Sequence, residues 1–358
     1  MKNKFLIIPL IGIGDVLMTT PALKVLKKNK PESKITYCTM NKGTYEVLKH
    51  NPFIDNLVYY PFMGKHKIPS IFNFLKEQCC RYSTSINFYP SNRIHYNIVS
   101  LLTFASQRIG HTYLQMNFSQ LNWLKNKTIQ EDDSLHCVEE NVKLLRFLDI
   151  EIPSNEIPSM DIFLDSSEIS VGTEYRKLIS PFTCCIGIHA GTSVMKGHVA
   201  RRWPKEHFLQ LINSTRDAHF VLFGSNEEQE TNKYIFENAT PGKVTLVKDK
   251  SIREVASIIR ACDFFISNDS GLMHLSAAVG TPVIAIIGPT NPVYIKPWNI
   301  AHKIVSAPVS CCHCFRYSPK PLSCSNDNKF QCLSEITVEM VQKDVEQFIH
   351  SFGLRSLV

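Results

Sequence analysis

Residues 264–287 read FFISNDSGLMHLSAAVGTPVIAII, and this stretch decides the fold class of the chain. An apolar run at 264–266 predicts a buried strand, and a second run at 283–288 predicts another. Between them, a polar turn leads into a helix of mostly small residues. A strand, a turn, a helix and a further strand in this order are typical of an α/β sheet.

The polar turn of this stretch is a candidate anion site. It lies where the carboxyl ends of parallel strands bind ligands, and the first turn of the following helix presents free backbone N–H groups. Ser270 and Gly271 allow a phosphate to approach the backbone closely, and His274 lies one helical turn further on. The stretch therefore predicts a phosphate-bearing ligand at a helix N-terminus.

Length and composition indicate a globular protein of two domains. A chain of 358 residues is longer than a single hydrophobic core usually supports, so we expect two domains of about 150–180 residues. Hydrophobic residues make up 44% and charged residues 20%, and no apolar run approaches the roughly 20 residues of a membrane span. Asp15 interrupts the apolar N-terminal run and no small-residue cleavage site follows, so we interpret this run as a buried first strand.

The positive charge is concentrated in the first half. Residues 1–150 hold 19 Lys and Arg against 11 Asp and Glu, a net +8, whereas the remainder holds 20 against 21. The excess of positive charge indicates either a solvated basic surface or a surface that contacts an anionic lipid or sugar. Because no nucleic-acid-recognition module is visible, we expect no nucleic-acid partner.

The twelve cysteines are scattered, and without an export signal they are expected to be reduced cytosolic thiols. Four of them near the C-terminus have a spacing that can hold zinc or iron: Cys311, Cys314, Cys324 and Cys332. A reduced loop without metal is the alternative, and it is the interpretation that we prefer.

Strand-like and helix-like segments alternate in both halves, which predicts doubly wound, mainly parallel sheets. Residues 117–136 look irregular, and residues 151–161, with two prolines, look like a linker. Two α/β halves would leave a cleft between them, where pockets are favoured. The predicted strands are 4–10, 34–39, 56–60, 84–88, 184–189, 219–223 and 243–246, besides the two in the opening stretch. The predicted helices include 15–28, 44–49, 70–80, 138–148, 207–215, 227–237, 252–261 and a closing helix at 337–352.

A second motif, Gly12-Ile13-Gly14-Asp15, follows the first predicted strand. It does not fit a dinucleotide fingerprint, because Leu17 stands where the third glycine would be and Asp15 would repel a pyrophosphate. A helix N-terminus stabilises the ionised form of a carboxylate. Asp15 is therefore either a candidate general base or a helix cap, and the sequence favours neither.

Two further turns follow strands of the second half. One contains Thr192 and Ser193, which offer hydroxyl and N–H donors, and the arginines that follow at 201 and 202 offer fixed positive charge for a diphosphate. The other turn leads to Glu228, near a position where a carboxylate could accept hydrogen bonds from ribose hydroxyls. Helix capping and surface charge explain the same residues without a ligand.

Taken together, these motifs resemble glycosyltransferase family 9, the ADP-heptose:lipopolysaccharide heptosyltransferases, along nearly the whole chain. The resemblance rests on Gly12-Ile13-Gly14-Asp15, Arg201-Arg202-Trp203-Pro204, Gly224-Ser225, Asn268-Asp269-Ser270-Gly271-Leu272-Met273-His274 and Gly288-Pro289-Thr290. It implies the GT-B architecture: two Rossmann-like, doubly wound α/β domains that face a central cleft. We expect an acceptor-binding domain at 1–165, a nucleotide-sugar-binding domain at 166–336, and a C-terminal helix within 337–358 that crosses back and packs on the first domain.

The resemblance also implies roles for individual residues. The general base of the family falls on Asp15, its diphosphate contacts fall on Thr192, Ser270, Gly271 and His274, and its ribose carboxylate falls most nearly on Glu228. Ser193 and Asp269 lie beside these positions and are included in the predicted nucleotide-sugar site. The family commonly has a lysine two residues before the Trp-Pro pair, where this chain has Arg201, and Lys196 is the alternative for that role.

The implied activity is transfer of a heptose from ADP-L-glycero-D-manno-heptose to Kdo or heptose in the lipopolysaccharide inner core, with inversion. Asp15 would take the proton of the acceptor hydroxyl, while helix amides with His274, Arg201 and Lys196 would stabilise the leaving diphosphate without metal or other cofactor. We expect a cytoplasmic monomer that associates peripherally with the inner membrane. Another nucleotide sugar, a protein acceptor, or a non-catalytic nucleotide-sugar or lipopolysaccharide-binding protein are the alternatives.

Overall fold

The computed structural model divides into two compact units, each with its own six-stranded sheet. Unit 1 ends at Phe163 and unit 2 begins at Leu164. The residues that the structure describes are 3–10, 12–62, 67–179, 183–193, 195–316 and 320–352.

Unit 1 has a parallel sheet with the strand order β3-β2-β1-β4-β5-β6. Its strands are β1 (Lys4–Ile7), β2 (Lys34–Thr39), β3 (Asn56–Tyr59), β4 (Thr84–Ile86), β5 (Gln107–Thr112) and β6 (Lys127–Gln130). Its α-helices in the described ranges are α1 (Ile13–Leu17), α2 (Thr20–Asn29), α3 (Lys42–Leu48), α4 (Lys67–Gln78), α5 (Ile94–Leu102) and α6 (Cys137–Lys143).

Unit 2 repeats this winding, with the strand order β12-β11-β10-β7-β8-β9 and parallel pairing. Its strands are β7 (Cys184–His189), β8 (Ala218–Phe223), β9 (Val244–Leu246), β10 (Phe264–Asn268), β11 (Val283–Ile286) and β12 (His302–Val305). Its described α-helices are α7 (Ser166–Lys177), α8 (Lys205–Ser214), α9 (Gln229–Asn238), α10 (Ile252–Arg260), α11 (Gly271–Ala278), α12 (Pro292–Ile295), α13 (Gln331–Ser334) and α14 (Val338–Phe352).

The strand order reverses beside the first strand of each unit, between β1 and β4 in unit 1 and between β7 and β10 in unit 2. Open parallel sheets bind ligands outside the carboxyl ends of the strands at such a reversal. The predicted doubly wound α/β class is therefore confirmed for both halves. Residues 264–287 supply β10, α11 and β11, so this stretch lies at the reversal in unit 2.

The apolar strands of unit 2 are buried on both faces, as parallel strands covered by helices must be. Helix α14 packs against α8, β11 and β12, and its side chains Val341, Val345 and Phe348 belong to the core of this unit. The indole Nε1 of Trp203 donates to the Ile336 carbonyl oxygen at 2.7 Å, which ties the chain before α14 to the same core. The apolar stripe of α14 contributes to the core of unit 2. The expectation that the helix within 337–358 packs on the first domain stays a prediction.

Three strands differ from the sequence prediction. Strands β5, β6 and β12 had not been predicted, and β6 lies in a stretch expected to be irregular. The sequence of β5, QRIGHT, contains a single branched apolar residue, so no apolar run marks it. Its place in the sheet comes from pairing with β4 and β6.

The predicted helix 15–28 is broken into α1 and α2. Pro21 lies in the first turn of α2 and has no N–H for a continuing helix. The hydroxyls of Thr19 and Thr20 donate to the carbonyl oxygens of Val16 and Leu17, at 2.7 and 2.8 Å, and so satisfy the end of α1.

Candidate functional site

The turn between β10 and α11 has its first helical N–H groups available to a ligand. Ser270 is the N-cap of α11, but its side chain makes no capping hydrogen bond. Its Oγ instead lies 2.9 Å from His189 Nδ1 and 3.0 Å from Ser267 Oγ. The hydroxyl therefore does not compete with an anion for the N-terminal amides of the helix.

His274 lies in α11 one turn after Ser270 and is buried, with 4% of its surface exposed. Burial lowers its pKa to about 4, although the nearby Asp269 charge acts in the opposite direction. Its Nδ1 has no hydrogen-bond partner among the described residues. At neutral pH this imidazole is uncharged, so it would meet an anion as a hydrogen-bond donor.

Glu228 is an ionised carboxylate held at the end of the sheet by two residues. Its Oε1 lies 3.1 Å from Nε2 of His189, the last residue of β7, and its Oε2 accepts from the N–H and hydroxyl of Ser225 at 2.7 and 3.0 Å. Burial by itself would raise the pKa of Glu228, but the His189 and Ser225 interactions outweigh it and lower the pKa to about 2. His189 thereby links the carboxylate to the Ser270 turn.

Gly191 is required by the position of this carboxylate. A β-carbon at residue 191 would overlap the Oε1 atom of Glu228. Only glycine lets the backbone after β7 approach the glutamate this closely.

Arg201 is fixed beside the turn by a charged and an aromatic partner. Its Nη1 donates to Oδ2 of Asp269 at 2.8 Å, and its guanidinium lies 4.5 Å from the ring centroid of Phe315. The same Asp269 oxygen accepts from the Thr290 hydroxyl at 2.7 Å. Asp269, predicted to bind the nucleotide sugar, holds Arg201 and Thr290 in place.

Thr192 is buried in the loop after β7. Its hydroxyl donates to the His198 carbonyl oxygen at 2.8 Å, and its own carbonyl oxygen accepts from Nη2 of Arg202 at 2.7 Å. Ser193 follows it and is exposed. The side chain of Lys196, the alternative to Arg201, lies outside the described residues.

The predicted residues that meet at the carboxyl ends of β7, β8 and β10 form what we call the switch-point site: Thr192, Arg201, Glu228, Asp269, Ser270, Gly271 and His274. Sequence reasoning missed His189 and Asn268 as members. The Asn268 side chain accepts from the Trp203 N–H and donates to the Ala190 carbonyl oxygen, both at 3.0 Å. Each stands as a polar residue at the last position of an apolar strand, which is a signal that could have identified them.

Asp15 lies in unit 1, in the first turn of α1 and beyond the carboxyl end of β1. A β-carbon at Gly12, the N-cap residue, would crowd the Asp15 carboxylate. The carboxylate thus folds back towards the start of its helix, yet the residue stays partly exposed. This placement is compatible with a helix cap and with a base at a ligand-binding edge.

The C-terminal cysteines are engaged locally. Cys311 Sγ accepts from Asn326 Nδ2 at 3.2 Å, Cys312 Sγ donates to the Gly288 carbonyl oxygen at 3.2 Å, and Cys324 Sγ accepts from the Phe330 N–H at 3.4 Å. Cys314 is exposed and Cys332 is buried. Within the described ranges, no three or more Cys, His, Asp or Glu residues are grouped so as to hold a metal ion.

None of the helices in the part of the chain that the structure describes is both long and apolar enough to span a bilayer.

Solved structures share this fold at low sequence identity. A glycosyl transferase family 9 protein from Veillonella parvula matches with a TM-score of 0.76 at 22% identity, covering 98% of each chain. The E. coli ADP-heptose lps heptosyltransferase II matches with a TM-score of 0.73 at 18% identity, covering 97% of this chain and 99% of that one. These likenesses confirm the GT-B class of the fold.

Sequence relatives point to the same group. Lipooligosaccharide heptosyltransferase 2 of Campylobacter jejuni is 22% identical over 85% of this chain and 87% of that protein. Lipooligosaccharide heptosyltransferase 2 of Haemophilus influenzae is 36% identical, but that alignment spans only 27% of this chain and 30% of the relative. The model of glycosyltransferase family 9 (heptosyltransferase) matches residues 92–323. The chain therefore belongs to glycosyltransferase family 9, the heptosyltransferase family of enzymes.

Proposed function

We propose that this chain transfers a heptose from ADP-L-glycero-D-manno-heptose to a Kdo or heptose acceptor of the lipopolysaccharide inner core. The observation that carries the proposal is the switch-point site of unit 2. It combines the N-terminal amides of α11, the buried neutral His274 and the ionised Glu228 at one edge of the sheet.

The donor would bind with its diphosphate at the N-terminus of α11, against Ser270, Gly271 and the Thr192 loop. Glu228 is ionised and so accepts hydrogen bonds from the ribose hydroxyls. Because His189 contacts both Glu228 and Ser270, the ribose and diphosphate positions are coupled through one side chain.

The chemistry is an inverting displacement. The acceptor oxygen forms a bond to the anomeric carbon while the bond from that carbon to the phosphate oxygen breaks, and ADP leaves with the electron pair. Asp15 takes the proton of the acceptor hydroxyl. The amides of α11, His274 and Arg201 stabilise the charge that grows on the leaving phosphate, so the mechanism that we propose uses no metal ion.

Replacing Asp15 by asparagine tests the base. Asn keeps the shape and the polar cap but cannot take a proton, so we expect the transfer rate to fall by at least about 100-fold. Binding of ADP, followed by calorimetry, should be unchanged and serves as the control. A variant that transfers at a near-normal rate would show that Asp15 only caps its helix.

Calorimetric titration with ADP, UDP and GDP tests the donor. We expect ADP to bind most tightly, and the Ser270→Pro variant, which distorts the turn, to lose that binding. Preferred binding of UDP or GDP would favour the alternative of another nucleotide sugar. Binding without turnover of ADP-heptose on any core acceptor would favour a non-catalytic protein.

Metal at Cys311, Cys314, Cys324 and Cys332 stays a hypothesis with its own test. Elemental analysis of protein purified without chelator should find well below one equivalent of zinc or iron if the loop is metal-free. A stoichiometric content would establish a structural site.

We further propose that the protein is a cytoplasmic monomer that works at the inner membrane as a peripheral protein. The support is the net +8 charge of residues 1–150, since anionic headgroups attract a basic surface.

A further inference from the structure

Helix α5 of unit 1 has its apolar side facing outwards. Ile94, Ile98 and Leu101 are spaced at four and three residues, so they form one stripe, and they are 41%, 39% and 37% exposed. The buried side of the same helix contains the polar Asn97 and Ser100 beside Tyr96. This is the reverse of a helix that packs on a core by its apolar stripe.

Helix α4 also exposes large apolar side chains, although it buries Phe74 in the core. Ile68 and Phe72 are 59% and 68% exposed, whereas the polar Ser70 and Gln78 are buried. The Cys80 N–H donates to the Thr103 carbonyl oxygen at 3.0 Å, so the C-terminal ends of α4 and α5 meet. Right-handed crossovers into β4 and β5 place both helices on the same face of the sheet.

The chain after α5 adds exposed aromatic side chains. Phe118 and Trp123 are 80% and 56% exposed, and their rings stack with centroids 6.4 Å apart. The Asn97 side chain donates to the Gln120 carbonyl oxygen at 2.7 Å, which attaches this segment to α5. We call the exposed side chains of α4, α5 and residues 104–123 the apolar face.

The chain segment that carries the apolar face is rich in positive charge. Residues 67–130 contain seven Lys and Arg, of which Lys125 is buried, and a single acidic residue, Glu77. Lys76, Arg81 and Lys127 are exposed. Two copies of this face would bring like charges together, whereas anionic headgroups would be attracted to it. Exposed apolar side chains with surrounding Lys and Arg are what an interfacial protein presents to a bilayer.

We propose that the apolar face docks this chain on an anionic lipid bilayer by inserting its apolar side chains between the headgroups. This rests on the proposed function, in which the acceptor is a glycolipid. The segment 113–123 follows β5 at the carboxyl edge of the unit 1 sheet, the edge beyond which Asp15 also lies. Docking through this segment brings that edge to the level of the headgroups, where the sugar of a membrane-bound acceptor is found.

Sedimentation of the full chain with vesicles tests the docking. We expect binding to vesicles of phosphatidylglycerol and phosphatidylethanolamine, and much weaker binding to phosphatidylcholine alone. Phe72→Ser, Phe118→Ser and Trp123→Ser combined should weaken the vesicle affinity by more than about tenfold, because three large apolar side chains no longer insert. The matched control combines Leu178→Ser and Phe236→Ser, exposed apolar residues of unit 2, and should bind like the unchanged protein.

Two outcomes would overturn the proposal. One is unchanged vesicle binding by the triple variant; the other is a dimer, seen by analytical ultracentrifugation, that the triple substitution dissociates, since a second copy would then be the occupant. Transfer to a water-soluble, lipid-free core acceptor separates this question from the activity. The triple variant should keep that transfer, whereas Asp15→Asn should lose it and still bind vesicles.

Discussion

Glu228 and Gly191 act as a pair at the end of the unit 2 sheet. The carboxylate lies against the backbone at residue 191 and receives its hydrogen bonds from His189 and Ser225. The glycine is therefore needed for space and not for an unusual backbone angle. A methyl group at residue 191 would displace the Glu228 carboxylate. Because His189 contacts both Glu228 and Ser270, the displacement would also disturb the Ser270 turn.

Gly191→Ala should weaken ADP binding and destabilise the protein by about 1–3 kcal/mol, the usual effect of overpacking a buried site. Calorimetry and thermal unfolding measure the two effects. The control is Gly191→Ala combined with Glu228→Ala, which removes the overlapping carboxylate. The destabilisation by the alanine at 191 should be smaller in that background, and equal values in both backgrounds would contradict the overlap.

His274 makes the stability of the protein depend on pH. Its pKa is about 4 when folded against an ordinary 6.5, so between these values the unfolded chain binds a proton that the folded chain does not. Stability should therefore fall as the pH is lowered from 6.5 to 4. Denaturant unfolding at several pH values measures this slope, and His274→Asn should make it less steep. Other histidines whose pKa burial lowers, such as His95, contribute the remainder. If the variant keeps the same dependence of stability on pH, groups other than His274 cause that dependence.

At the scale of elements, the packing of α7 on α10 depends on Gly172. Its N–H donates to Oγ of Ser257 at 3.0 Å, and a β-carbon at 172 would overlap the Ser257 carbonyl group. The buried guanidinium of Arg253 in α10 is paired with Glu168 of α7 beside this contact. The two helices therefore approach at backbone distance, which only a glycine permits.

Gly172→Ala separates helix propensity from packing, because the two predict changes of opposite sign in the free energy of unfolding. Alanine stabilises an exposed helix position by about 1 kcal/mol relative to glycine. Here the clash with Ser257 should reverse the sign and destabilise unit 2 by about 1–3 kcal/mol in denaturant unfolding. Thr173→Ala, an exposed neighbour in α7, is the control and should change little. A stabilised Gly172→Ala protein would rule out the close contact.

Elements differ in how far their own residues predict them. Strands β7 and β10 are apolar runs, so the local sequence alone predicts that they are buried. Strand β5 and helix α5 are not predictable in this way, because β5 has almost no apolar run and α5 faces its apolar stripe to solvent. Their positions depend on neighbours that lie far away in the chain.

At the scale of the whole molecule, each unit has its own sheet and the switch-point site lies in unit 2. ADP at 100 times its dissociation constant should stabilise the unit that binds it by about 2.7 kcal/mol. Hydrogen exchange should therefore slow in β7, β10 and α11 and stay unchanged in β1–β6, which serve as the internal control. Equal protection of both sheets would contradict a site built from unit 2 alone.

The sequence by itself determined the α/β class, the two halves and the turn at Ser270 before a helix, since apolar runs and turn residues act on their immediate neighbours. Family motifs added the expected roles of Asp15 and Glu228. Only the tertiary structure decided that His189 meets Glu228, 39 residues away, and that Arg201 meets Asp269, 68 residues away. The order of strands in a sheet brings such pairs together, and strand order depends on pairing across the whole unit. The same holds for the apolar face, because hydrophobic periodicity shows that a helix has two sides but not which of them is left uncovered.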